Sequence, residues 1–160
     1  MASADLSACA AWKPFKVRRK GEIVIVSVRH FGRGLTKAVE KALDQPTKGI
    51  VIDVRFSASG DEIEMARLAD LLLGKGSVGS RQTRSDLGNR TWKAKADSTG
   101  ERLDLPLVLA QDANTSGLAE VLASAIKTHE RGLLVGRATA GEDTQETMRL
   151  FRDGSAIQIT

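Results

Sequence analysis

The sequence predicts an α/β fold with a largely parallel sheet, and three observations carry that prediction. Four short apolar runs, IVIVSV (23–28), GIVIDV (49–54), LPLVLA (105–110) and GLLVG (132–136), are continuous rather than alternating, the pattern of strands covered on both faces. Stretches with apolar residues at helical spacing separate them. Glycines and prolines punctuate nearly every junction. Strands that alternate with helices form parallel βαβ units.

Residues 1 to about 20 carry no period and are expected to form a flexible basic leader, followed by one core domain over 21–160. After the first strand, Gly32 and Gly34 break the chain, and Leu35, Val39 and Leu43 recur at helical spacing before Pro46. The second strand ends at Arg55 and a small polar loop, Ser57 to Gly60. Asp61 then begins a helix whose first turn holds Glu62 and Glu64, where carboxylates favour the positive end of the dipole. Met65, Leu68 and Leu72 give it one apolar face. Two weaker strands, 78–83 and 90–96, flank a turn at Asp86–Gly88. Beyond the third strand, Leu118, Val121, Leu122 and Ala125 lie on one face of a helix ending near His129. After the fourth strand, Asp153-Gly154 is a hairpin turn between 148–151 and 156–159.

Length and composition bound the function. A chain of 160 residues, 41% hydrophobic and 28% charged, is one ordinary domain able to bury a core without disulfides or metals. No run approaches the roughly 20 apolar residues of a bilayer span, so no membrane span is expected. The net charge of +4 owes much to Lys13, Lys16, Arg18, Arg19 and Lys20. This leader could touch nucleic acid or anionic lipid, but a solvated tail is the expectation. A second basic stretch, Arg81 to Lys95, holds Trp92, which could stack a base; without further aromatics beside it, a twisted exposed hairpin is the better reading. Nucleic acid is therefore not expected as a partner. His30 and His129 have no second ligand at metal spacing, so neither metal nor cofactor is expected. Asp53 is expected to make a structural hydrogen bond or ion pair with a neighbour such as Arg55. Cys9 lies in Leu6-Ser7-Ala8-Cys9, the form of a lipoprotein cleavage box, but neither a basic nor an apolar region precedes it. The sequence as written reads as cytoplasmic; a start farther upstream would make it periplasmic or lipid-anchored.

Three segments resemble, in order, the C-terminal processing or tail-specific serine peptidases of family S41, with similarity to tricorn protease. GIVIDVRFSASG (49–60) is similar to the family's strand ending in Asp-Leu-Arg before a glycine-rich loop. LPLVLAQDANTSGLAEVLASAIKTHERGLLVGRATAG (105–141) resembles its nucleophile strand, corner, helix and following strand, and FRDGSAIQIT (151–160) its closing hairpin. The resemblance covers roughly 21–160 and implies a spiral ββα core of the ClpP/crotonase kind, with short antiparallel hairpins. It leaves no room for the family's peptide-reading PDZ module, and relatives continue past Thr160, as if this chain were truncated there.

The resemblance also implies where the catalytic residues should fall. Members read about Gly-Ser-Ala-Ser-Ala-Ser-Glu at the corner; setting that Glu on Glu120 puts the nucleophile position at Gly117. The general-base lysine falls at Glu142. Gln145 stands near the third catalytic position, although gapless counting puts Glu146 there. The oxyanion loop keeps only Gly60 of its glycine pair, beside Ser59, and Phe56 is expected partly to fill the groove. Physically, a Ser-Lys dyad needs a hydroxyl and a desolvated amine that takes its proton. Glycine supplies no nucleophilic atom, and a carboxylate with an ordinary pKa of about 4.3 is a weak base for a hydroxyl. Ser116 is one residue away, a rotation of about 100° at a helix start.

Two functions follow. The first is a peptidase-like domain without hydrolytic activity that binds a peptide or protein segment in its groove. The second is a divergent serine peptidase using Ser116, which otherwise reads as a capping or turn serine. Folds of this type often self-associate, so the partners to be considered for either include a second copy of the chain in a homo-oligomer.

Overall fold

The computed structural model describes residues 13–83, 90–96, 104–142, 147–151 and 153–159. β1 (Phe15–Lys20) turns at Gly21 into β2 (Ile23–Val28), followed by the short β3 (His30–Phe31) and α1 (Leu35–Leu43). β4 (Gly49–Asp53) leads through β5 (Ser59–Gly60) into α2 (Glu62–Leu73). β6 (Gly76–Thr83) and β7 (Arg90–Ala96) form an antiparallel hairpin, and β8 (Leu107–Gln111) leads into α3 (Leu118–Thr128) and β9 (Leu133–Gly136). β10 (Thr147–Leu150) and β11 (Ala156–Ile159) pair antiparallel.

The central sheet has the order β1-β2-β4-β8-β9. Its β2-β4, β4-β8 and β8-β9 pairs are parallel, and only β1 joins antiparallel. This is the mixed α/β class with short antiparallel hairpins that the alternation of strands and helices predicts. Val24, Val26, Val28, Ile50, Ile52, Leu107 and Leu109 point to one face and are buried there with Leu35, Val39, Met65, Leu68, Leu72, Leu122 and Ile126 of the helices. Each such side chain contributes about 1.5–3 kcal/mol of transfer free energy.

Two expectations change. The basic run at 15–20 is not a flexible leader but the edge strand β1, in register with β2 from Phe15↔Val28 to Lys20↔Ile23. Its alternation was masked because Phe15 and Val17 are separated by charged residues that point away from the helices. Arg19 points inward and caps α1, with Nη1 donating to Ala42 O at 2.5 Å and Nη2 to Pro46 O at 2.5 Å. The continuous apolar runs also suggested cover on both faces. Among the described residues the helices cover one face only: β2 alternates between half-buried and buried positions, and Leu133 and Val135 of β9 are exposed.

The remaining elements follow the sequence closely. Asp61 caps α2 by accepting the Ile63 N–H at 2.8 Å. Glu64, expected only to favour the dipole, is buried and ties α2 to α1 through the Thr36 amide and hydroxyl, with Arg67 on its other oxygen. The β6-β7 hairpin lies along α2 and α3, with Val78 and Ala96 buried and Lys93 and Lys95 exposed. The turn expected at 86–88 and the side chain of Trp92 lie outside the described residues, as does Cys9. The 153–154 turn is present, with Gly154 at φ 85° and Ser155 N–H and Oγ both bonded to Asp153 Oδ1. Among the described residues no helix is long and apolar enough to cross a membrane.

Candidate functional site

The loops at the carboxyl ends of β2, β4, β8 and β9 converge, the usual place for a site in a parallel sheet. After β8, Asp112 accepts the Asn114 N–H at 3.0 Å, and its own N–H donates to the Thr115 hydroxyl at 3.0 Å. This small polar turn is what DANT encodes: short side chains that satisfy local amides where no ladder continues. Thr115, fully buried, donates to Val54 O at 3.0 Å, and Ser116 N–H donates to Ser57 O at 2.9 Å, so the corner is pinned to the loop after β4. Ala140 N–H donates to Thr115 O at 2.9 Å and brings in the loop after β9.

Gly117 begins α3 with φ 56° and ψ −124°, a backbone that side-chain-bearing residues rarely adopt. A Cβ there would lie 2.5 Å from Ala58 O. Glu120 reaches back to this corner: its Oε2 accepts the Gly117 N–H at 3.0 Å and the Glu142 N–H at 3.0 Å, while Oε1 accepts the Gly141 N–H at 2.7 Å. One carboxylate thus holds three amides, and the two positions that the resemblance assigns to nucleophile and base adjoin across it. The sequence marked Glu120 only as an anchor; its clamp was not legible because the loop it holds lies about 20 residues away. The side chain of Glu142 is exposed. Gln145 lies outside the described residues.

Ser116 is placed at this corner but is only 8% exposed. Ser59 and Gly60 pair in parallel with His30 and Phe31. Gly60, at φ 150°, is required by close approach, since a Cβ would collide with the Phe31 backbone. His30 Nδ1 lies 3.2 Å from Ser59 Oγ, a serine-histidine contact that the sequence reasoning missed because the two residues are joined only by the β3-β5 ladder. His129 is remote from the corner: it caps the end of α3 and its Nε2 is 2.7 Å from Ser77 O.

Charge is concentrated beside the corner. Asp53 receives Arg55 Nε at 2.8 Å and Nη2 at 3.0 Å, as the sequence predicted, and Arg29 lies 4.0 Å away. Burial alone would raise the Asp53 pKa, but the hydrogen bonds and charge of Arg55 and the charge of Arg29 outweigh it and hold the carboxyl below its ordinary value. Asp112 is likewise held low: burial is outweighed by the amides of Phe56 and Asn114 and the Thr115 hydroxyl. Phe56, expected partly to fill a groove, stands open to solvent. It is 61% exposed at φ 59°, with the Arg29 guanidinium 5.9 Å from its ring centre. Among the described residues no group of three or more His, Cys, Asp or Glu is arranged to hold a metal.

The sequence is similar to that of a probable CtpA-like serine protease of Staphylococcus aureus strain N315, 24% identical over 152 residues, and to its counterpart in Staphylococcus haemolyticus strain JCSC1435, 23% identical. The matches cover 92% of this chain but only 30% of those relatives. Among solved structures, the photosystem II D1 C-terminal processing protease superposes with a TM-score of 0.70 at 24% identity, over 92% of this chain and 42% of that one. Mature CPAF superposes at 0.68 with 10% identity, over 91% of this chain and 44% of that one. Both carry the ClpP/crotonase-like fold, which is the fold of this chain. Residues 20–160 match peptidase family S41. By that match across nearly its whole length, the chain belongs to peptidase family S41.

Proposed function

We propose that this chain is a peptidase-family domain that has lost the Ser-Lys chemistry and uses the loops around the α3 corner to hold a peptide or protein segment without cutting it. The observation that carries this reading is the pair of residues bridged by Glu120: glycine at 117 and glutamate at 142. A Ser-Lys peptidase needs an oxygen at the first position to attack the carbonyl and a neutral amine at the second to take its proton and return it to the leaving amine. Gly117 has no such atom, and the side chain at 142 is an exposed carboxylate. The Ala58 carbonyl further closes the space beside Gly117. Loss of members of such a unit removes nearly all its rate advantage while leaving binding surfaces in place.

A peptide or protein is the expected occupant because the relatives named above are proteases, whose substrates are polypeptides. The test is peptide cleavage and labelling by a fluorophosphonate on the purified protein. No cleavage of unstructured peptides and no labelling are expected; labelling at Ser116 would overturn the reading. Gly117→Ser with Glu142→Lys, made with Ala58→Gly so that the backbone bearing the close carbonyl is freer to shift, is expected to gain labelling at position 117.

A second reading is favoured by the His30–Ser59 contact: a hydrolase in which Ser59 Oγ attacks and His30 Nδ1 takes the proton. Labelling at Ser59 that is abolished in His30→Gln would establish it in place of the first.

A further inference from the structure

The face of the central sheet turned away from the helices carries a pattern that the α3 corner does not use. Register aligns Arg18, Ile25, Val51, Val108 and Leu133 in one row across all five strands, because paired residues project to the same side. Ile25, Val51 and Val108 are half-buried, while Leu133 at 64% and Val135 at 38% exposure stand open on the edge strand β9. At the opposite edge, Lys16, Arg18 and Lys20 all project to this same face and are exposed. With strands about 4.8 Å apart, the row runs about 19 Å from a basic edge to an apolar one. The carboxylate on the same face at the site end, Asp53, is engaged by Arg55.

We propose that this outer face is an interface for a polypeptide segment of defined chemistry, with apolar side chains lying over β4, β8 and β9 and carboxylates over Lys16, Arg18 and Lys20. The charge distribution selects that occupant. A second copy of this chain does not fit: a two-fold axis along the strands sets the basic row over Leu133 and Val135 of the other molecule, and an axis across them sets cations over cations. An anionic membrane surface fits poorly, because the cations line one edge instead of surrounding the apolar patch. An acidic amphipathic segment satisfies both edges at once, and burial of the open row adds apolar area in proportion.

The probe is a fluorescein-labelled synthetic peptide of about 15 residues with leucine on one helical face and glutamate on the other. Its binding is followed by anisotropy against a scrambled peptide and against vesicles of phosphatidylcholine with phosphatidylserine. Binding to the ordered peptide is expected, weakened about tenfold by Leu133→Asp and about tenfold by Arg18→Glu, and unchanged by Lys127→Glu on α3, which faces away from this surface. Leu133 and Arg18 are exposed, and circular dichroism checks that both variants fold. Equal weakening by Lys127→Glu, equal binding of the scrambled peptide, or no peptide binding overturns the proposal. So does binding to vesicles alone, or a dimer in sedimentation that Leu133→Asp dissolves.

Discussion

At the scale of single residues, two serines two positions apart illustrate opposite fates. Ser59 has a partner in His30, whereas Ser57 Oγ is fully buried with none among the described residues. A buried hydroxyl without a partner carries its full desolvation penalty. Ser57→Ala is therefore expected to leave stability unchanged or raise it by up to about 1 kcal/mol, measured as the midpoint of thermal unfolding; a loss would mean that the hydroxyl is bonded. Neither fate was legible in the sequence, since SASG reads as four small loop residues. What was legible was that position 117 carries no side chain and position 142 a carboxyl group, because that depends on residue type alone. The clamp through Glu120 was not, because it rests on distance between loops.

At the scale of elements, the helices were the most legible parts. The apolar spacing of α1, α2 and α3 and the Asp61 cap are local signals, and the structure places each within a residue or two of where they point. β1 was missed for a physical reason: an edge strand with one face open can alternate charged and apolar residues and look like a tail. The placement of Arg19 makes this testable. Its guanidinium satisfies carbonyls past the end of α1 and the Thr47 hydroxyl at 2.9 Å, where cations also favour the dipole. Arg19→Ala is expected to cost about 1–2 kcal/mol in denaturant unfolding, whereas Arg18→Ala, on the open side of the same strand, is expected to cost little.

At the scale of the whole molecule, the fold class and the largely parallel pairing of the central strands were legible because alternation of strands and helices admits few topologies. The uncovered face was not, since a run such as IVIVSV is the same whether its second face meets a helix or a partner. The acid response is also a whole-molecule property. The folded pKa of Asp53 is depressed by its arginines, so its contribution is present above the unfolded carboxylate value of about 4 and is lost as pH falls below it. Asp53→Asn is expected to flatten the decline in stability below about pH 4, and an unaltered acid limb would contradict the ion pair.

The positive φ at Gly117 also limits what the position can become. Any side chain placed there would bring its Cβ to 2.5 Å from the Ala58 carbonyl, so a single substitution is accommodated only if the neighbouring loop shifts with it. Tolerance at this corner is therefore a joint property of two loops and not of one residue.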